Sequence, residues 1–326
     1  MRVLVTGGAG YIGSVIAAEL LAQGQEVVIV DDLSTGHADA VPPGAEFHEL
    51  SITNLDEVLG GWRIDAAIHL AAKSLVGESS ANPSLYWHSN VIATVTLLDA
   101  LHAAGVERIV FSSTAATYGQ PEQQPITEDA PTRPNSPYGS TKLAIDLALT
   151  DYARSYGMAP VSLRYFNVAG ALHAPDGRSY GERHGNETHL IPNALRAAAG
   201  TGPAMSLFGT DYPTADGTCV RDYIHVVDLA EAHMRALNAA TSGAHHIVNL
   251  GSGSGHSVRE VLDTVHDVTG KDVPLMEADR RAGDVAVLIA SNAKAAQLLG
   301  WQPSRELAAM VDDAWRFELE ISRYAQ

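Results

Sequence analysis

The first half of the chain alternates short apolar runs with helical patterns, which predicts a parallel sheet covered by helices. Strands are expected at Arg2–Val5, Val27–Val30, Glu46–His48, Ala66–Leu70, Ile109–Ser112 and Val161–Arg164. Between the first two, Ile12–Gln23 places its apolar residues on one helical face. A second helix is expected over Ser84–Ala104, burying Val91, Val95, Leu98 and Leu101. A third starts at Ser136-Pro137 and runs past Tyr152; Ser136 can cap the open amides and Pro137 suits an early helical position.

After Asn167 the pattern loosens. Ala171–Glu187 is rich in Gly, His and charge, too irregular for a packed element, and loops of that length often line a ligand site. Helices resume at His189–Ala199, Val226–Ala239 and Val258–Val268, with a strand at His246–Leu250 and helices again at Asn292–Leu299 and Arg305–Glu320. No internal repeat or low-complexity tract is found. The expected architecture is α/β: a doubly wound (Rossmann) parallel sheet in residues 1–168 and a smaller C-terminal α/β lobe in 169–326. Some segments of the second lobe are expected to return to the first, and the lobe itself to wall a shared cleft.

The chain's 326 residues suffice for this plan, and a formal net charge of −17 speaks against binding a nucleic-acid backbone. A few arginines at one place can still hold a diphosphate on an acidic protein. No apolar run is long enough for a bilayer, and a strand beginning at Arg2 leaves no room for a secretory leader, so the expectation is a cytoplasmic protein without membrane contact. The single cysteine, Cys219, excludes an internal disulfide and a four-thiolate zinc site. The 14 histidines are scattered; His245-His246 and the pair His184/His189 show no ligand set with carboxylates, and no metal is expected.

The first strand runs into Thr6-Gly7-Gly8-Ala9-Gly10-Tyr11-Ile12-Gly13 and then a helix. Gly7, Gly10 and Gly13 permit a tight turn, close approach of a pyrophosphate and close helix–strand packing, while the helix N-terminus offers free amides. A bare glycine pattern also occurs in structural turns; the flanking strand and helix are what give this one its meaning. The second strand ends at Asp31-Asp32, where a carboxylate can accept from ribose hydroxyls and would repel a 2′-phosphate. The expected cofactor is NAD.

Tyr138-Gly139-Ser140-Thr141-Lys142 sets a tyrosine and a lysine four residues apart on one helix face. A phenol with an ordinary pKa of about 10 is a poor base near neutrality. A neighbouring ammonium and a cationic nicotinamide would both favour phenolate. Most Tyr–Lys pairs at this spacing sit on surfaces; following a dinucleotide fold, this one becomes a candidate reaction centre. Thr114, at the end of a predicted strand, is the third member, although Ser/Thr runs there also form turns.

These features resemble the extended short-chain dehydrogenase/reductase superfamily over essentially the whole chain. Further segments resemble its UDP-galactose 4-epimerase family: His69-Leu70-Ala71-Ala72, Val76-Gly77-Glu78-Ser79, Asn90, Arg164-Tyr165-Phe166-Asn167, Phe208 to Thr214, Val220 to Val226, and Arg280 to Asp284. The resemblance implies a homodimer that keeps NAD bound, oxidises C4 of a UDP-sugar, lets the sugar turn about its diphosphate and returns hydride to the other face. It implies Tyr138 as base, Lys142 as ribose ligand and tuner of Tyr138, and Thr114 as the group orienting the sugar. Cofactor contacts carry over to Gly7, Gly10, Tyr11, Ile12 and Gly13, to Asp31 and Asp32, and to Ser51 and Ile52. Others fall on Leu70, Ala71 and Ala72, on Asn90 and Ser112, and on Tyr165 beside Tyr138 and Lys142. Substrate contacts carry over to Asn167, His189, Leu190, Phe208 and Leu288 as well as Thr114 and Tyr138, with Arg221 and Arg281 on the diphosphate and Asp284 on the uridine ribose.

Some positions depart from the family pattern. Ser51-Ile52 replaces an Asp-Ile pair that contacts adenine, Lys73-Ser74 stands where some members have Leu-Lys, and His189 replaces an Asn. Leu288 stands where some epimerases carry a bulky Tyr beside the sugar, so an N-acetylated sugar is expected to fit. A 4,6-dehydratase needs an Asp-Glu pair after the threonine, and here Ala115-Ala116 follows. A uronic-acid or pentose epimerase and a non-catalytic nucleotide-sensing protein on the same fold remain alternatives.

Overall fold

A computed structural model describes residues 1–281 and 283–324. The elements run β1 (Arg2–Thr6), α1 (Tyr11–Ala22), β2 (Glu26–Asp31), β3 (Glu46–Glu49), β4 (Ala66–His69), α2 (Val76–Ala81), α3 (Pro83–Tyr86), α4 (Ala93–Ala103), β5 (Arg108–Thr114), α5 (Pro137–Tyr156) and β6 (Ala159–Tyr165). Then come β7 (Asn167–Ala169), β8 (Leu172–His173), β9 (Ser179–Tyr180), α6 (Leu190–Ala199), β10 (Met205–Phe208), β11 (Val220–His225), α7 (Val226–Ala239) and β12 (His246–Leu250). The chain ends with β13 (Gly255–Ser257), α8 (Val258–Thr269), β14 (Leu275–Ala278), β15 (Val287–Leu288), α9 (Ala293–Leu299) and α10 (Leu307–Tyr324).

Seven strands form one parallel sheet in the order β12-β6-β5-β4-β1-β2-β3. Because side chains alternate across a strand, the near-continuous apolar runs feed two cores at once. Val3, Val5, Val27, Ile29 and Ile68 pack against α1 and α7 on one face. Leu4, Val28, Val30, Ala67 and Phe111 pack against α4 and α5 on the other. Strand order reverses between β1 and β4, and the register brings Thr6 beside His69 and Thr114 beside Tyr165 at the C-terminal edge. Ligands of such sheets bind in the crevice outside that edge.

The remaining strands make smaller sheets. β11 pairs with β13, β15 and β7, while α6, α8 and α10 enclose a third core around Ile191, Tyr223, Val261, Val265 and Val311. Ser257 caps α8 with a full capping box, its hydroxyl on the Glu260 amide and the Glu260 carboxylate on the Ser257 amide.

Two expectations need correction. The helix expected over Ser84–Ala104 is α3 and α4 joined by a π-helical stretch, Trp87–Ile92. Its wider turn shifts the faces relative to a 3.6-residue period, leaving Val91 and Val95 half-buried while Leu97, Leu98 and Leu101 fill the core. Ala171–Glu187 is not without packed structure: β8 and β9 pair antiparallel inside it, and Tyr180 is buried.

Candidate active site

A cavity of about 820 Å³ opens along the C-terminal edge of the large sheet. At one end the chain leaves β1 at Gly7 with φ 75°, where a Cβ would come 2.6 Å from the Ala71 amide nitrogen. A Cβ on Gly13 would sit 2.1 Å from the Gly7 carbonyl oxygen, so both positions require glycine. Gly10 has room within the protein, its nearest neighbour being the Gly7 oxygen at 3.4 Å. It precedes α1, whose first turn no side chain caps, so the amide end of that helix faces the cavity. Asp31, almost fully buried, accepts from the amides of Ala9 (3.0 Å) and Leu33 (2.9 Å); burial raises its pKa and these bonds oppose the rise. Asp32, exposed beside it, accepts from the Ser34 amide at 3.0 Å. A glycine cradle, an uncapped helix terminus and a carboxylate at the end of β2 are the parts a bound dinucleotide needs, and these residues fit NAD.

The middle of the cavity carries the polar cluster. Ser136 accepts from the Gly139 amide at 3.2 Å and starts α5, which presents Tyr138 and Lys142 to the sheet edge. Lys142, buried, donates to the Ser112 carbonyl at 2.8 Å and lies 4.8 Å from the Phe111 ring centroid and 5.9 Å from that of Tyr138. Burial pushes the Lys142 ammonium down to about 7, against the pull of Asp146. The Tyr138 phenol is pushed up to about 12 by burial, and its hydrogen bond with Thr114 pulls the other way. Within the protein alone, desolvation thus outweighs the ammonium expected to favour phenolate. Tyr165 and Ser112 share a short hydrogen bond at the same edge. Below them His69 bridges Thr6 (2.7 Å) and Thr94 (2.8 Å).

At the far end, β15 places Leu288 beside β11, and both Leu288 and Arg221 line the cavity. Arg221 donates to the carbonyls of Val220 (2.9 Å) and Val285 (2.8 Å) and lies 3.7 Å from Asp284. Asn167 also lines the cavity and donates to the Asp222 carbonyl at 3.1 Å.

Tyr11, Ile12, Ser51, Ile52, Leu70, Ala71, Ala72 and His189 join this wall. Four expected contacts do not. Asn90 is fully buried, gripping Lys73 through its amide nitrogen (2.8 Å) and carbonyl (3.0 Å) and donating to Thr141 at 3.2 Å, so it positions the wall instead of forming it. Leu190 opens α6 and packs into the third core. Arg281 pairs with Asp284 at 2.9 Å and lies over the Phe208 ring at 5.0 Å, so both stay outside the cavity wall.

Polar wall residues that the sequence reading did not assign as contacts include Thr35, Thr53, His88, Asn135, Glu182 and His184. The expectation that His184 and His189 have no carboxylate partners is also overturned. Glu182, His184, Glu187 and His189 bring one donor atom each within 4.8 Å of one another. The spacing Glu-x-His-x-x-Glu-x-His held this signal, masked by its irregular surroundings.

Sheet order, glycine turn and edge cluster together define a dinucleotide-dependent enzyme of the doubly wound class. Residues 3–251 match the model of the NAD dependent epimerase/dehydratase family, and the chain belongs to that family. It is 53% identical to UDP-glucose 4-epimerase of Corynebacterium glutamicum, over 97% of this chain and 95% of that one. The UDP-glucose 4-epimerase of Streptomyces lividans is 51% identical, with coverage of 97% and 95%. Among solved structures, UDP-glucose 4-epimerase from Stenotrophomonas maltophila with bound NAD and formylated UDP-arabinopyranose superposes with a TM-score of 0.94, at 40% identity and 99% coverage of each chain.

Proposed function

We propose that the chain interconverts UDP-galactose and UDP-glucose by epimerisation at C4 through a transient 4-keto sugar, with NAD kept bound between turnovers. The observation that carries this reading is one continuous cavity with the glycine turn and Asp31 at one end, Tyr138, Lys142 and Thr114 in the middle, and Arg221 and Leu288 at the other. The activities named for the relatives above support the same choice.

Bound NAD⁺ supplies a hydride acceptor and then donor for C4, and its cationic ring favours the Tyr138 phenolate. In this reading Tyr138 takes the C4 hydroxyl proton during oxidation and returns it to the keto oxygen during reduction. Thr114 orients that oxygen, Lys142 holds the nicotinamide ribose, and Arg221 anchors the diphosphate about which the sugar turns. Asp284 lines the cavity and pairs with Arg281 just outside it. Ala115 and Ala116 line the wall after Thr114 and can move no proton, which favours epimerisation over dehydration within the family.

Residues 1–168 are assigned as the NAD-binding lobe and 169–326 mainly as the nucleotide-sugar lobe, with α7 and β12 returning to the first sheet. The chain is read as a cytoplasmic homodimer joined through the 84–104 and 136–156 helices, where Trp87, Ile92 and Leu147 are exposed. Among the described residues, no helix is long and apolar enough to cross a membrane. The test is incubation with UDP-galactose and no added cofactor, reading UDP-glucose. No product, even with NAD added, would transfer the chain to another sugar nucleotide or to a binding role.

A further inference from the structure

We propose that Glu182, His184, Glu187 and His189 form a closed four-ligand site for one divalent transition-metal ion, with zinc the best match, that pins the 171–189 segment to the cavity wall. The inference does not rest on the epimerase reading.

The geometry is that of a centre, not of two separate ion pairs. The His184 Nδ1 lies 3.1 Å from a Glu182 oxygen and 3.3 Å from a Glu187 oxygen. The His189 Nδ1 lies 2.6 Å from a Glu182 oxygen and 3.2 Å from a Glu187 oxygen. Each ring nitrogen therefore faces both carboxylates, but a single N–H can point along only one line. The two rings meet different oxygens of Glu187, Oε2 and Oε1, and a cation among the four side chains takes one donor atom from each. Zinc bonds of 2.0–2.2 Å to nitrogen and oxygen imply tetrahedral edges of about 3.4 Å; here the nitrogen–oxygen contacts run from 2.6 to 3.3 Å and the four donor atoms lie within 4.8 Å of one another, so small side-chain shifts bring them onto one ion.

Charge and burial point the same way. The Glu187 and Glu182 side chains are only 3% and 7% exposed, and two carboxylates so placed need positive charge at hand. Without an ion, two protonated imidazoles balance them, the carboxylates raising the pKa of both His184 and His189; a divalent ion with two neutral imidazoles balances them as well. Glu187 is also held by the backbone, its Oε1, the oxygen that faces the His189 ring, accepting from the amides of Thr188 and His189, each at 2.8 Å. Such outer hydrogen bonds orient metal ligands. Two imidazoles and two carboxylates suit zinc or a neighbouring transition metal better than magnesium or calcium, which prefer all-oxygen shells.

The location gives the ion a job. Glu182, His184 and His189 line the cavity, and His189 immediately precedes α6. Between the ligands, Arg183 pairs with Asp39 (2.6 and 3.0 Å) and its carbonyl meets His37 Nε2 at 3.0 Å. The ion would thus clasp a strap running from the loop after β2 to the start of α6. Four protein ligands leave no open position, which makes it structural rather than catalytic.

The test uses the full chain with any polyhistidine tag removed. It is stripped with a chelator, given excess zinc and desalted; metal content and melting temperature are then read. The expected result is about one zinc per chain and a higher melting temperature than the stripped protein. Glu187→Gln and His189→Asn should each weaken zinc at least about 100-fold, beyond what outer-shell changes cost, while Cys219→Ser binds as before. Circular dichroism establishes that each variant is folded. Cobalt in place of zinc should give the intense visible bands of a tetrahedral ion. Zinc retention near zero, equal affinity in the folded variants, or the weak spectrum of octahedral cobalt would each overturn the proposal.

Discussion

Leu288 is half-buried on β15 and lines the cavity. The residue-scale prediction is that the wild type also epimerises UDP-N-acetylglucosamine. In Leu288→Tyr the kcat/KM for that substrate should fall relative to UDP-galactose by at least about 10-fold, the range expected when a pocket loses room for a small group. An unchanged ratio would remove Leu288 as a selector. The glycine turn at the cavity end was readable at this scale because its code is local: Gly7 and Gly13 act through backbone approach, and Asp31 through a carboxylate held by the amides of Ala9 and Leu33, within one strand–turn–helix–strand unit. The Glu182/His189 cluster was not readable in the same way. Its donors become a set only when a loop with no periodicity folds back on itself.

At the scale of elements, α5 carries both Tyr138 and Lys142, and its start depends on the Ser136 hydroxyl. Ser136→Ala should destabilise the protein by about 1 kcal/mol, lowering the melting temperature by about 2 °C in differential scanning calorimetry. An unshifted transition would mean that another group holds the Gly139 amide. The strands of the large sheet could be read to within a residue or two, since strands buried on both faces give continuous apolar runs. The strands of the smaller sheets could not. Val220–His225 interleaves Arg221 and Asp222 with apolar residues, and Asp222 is a buried carboxylate held by the amides of Ser252 (2.6 Å), Gly253 (3.1 Å) and Ala290 (2.9 Å). Only the tertiary partners make that sequence a strand.

Across the whole molecule, stability should follow the buried histidines. Burial pushes His69 down to about 3 and His233 down to about 4. Below the ordinary histidine value of about 6.5 the unfolded chain takes up protons that the folded chain refuses. The stability these groups contribute is therefore fullest above that pH and falls toward pH 4, by up to about 1.4 kcal/mol per pH unit for each group. Among the described residues His233 Nε2 is buried without a partner, so His233→Leu removes one of the depressed groups, which include His245, without orphaning another. Its denaturant midpoint should fall less steeply than the wild type's between pH 6.5 and 4.5; parallel slopes would contradict the assignment. The central claim is that one cavity holds both the redox cofactor and the tyrosine that moves the proton. The most direct measurement is conversion of UDP-galactose to UDP-glucose by the purified protein without added cofactor, beside Tyr138→Phe. The account predicts turnover by the wild type and a loss of at least about 100-fold in the variant, with bound nicotinamide equal in both. Equal turnover in the two proteins would contradict it.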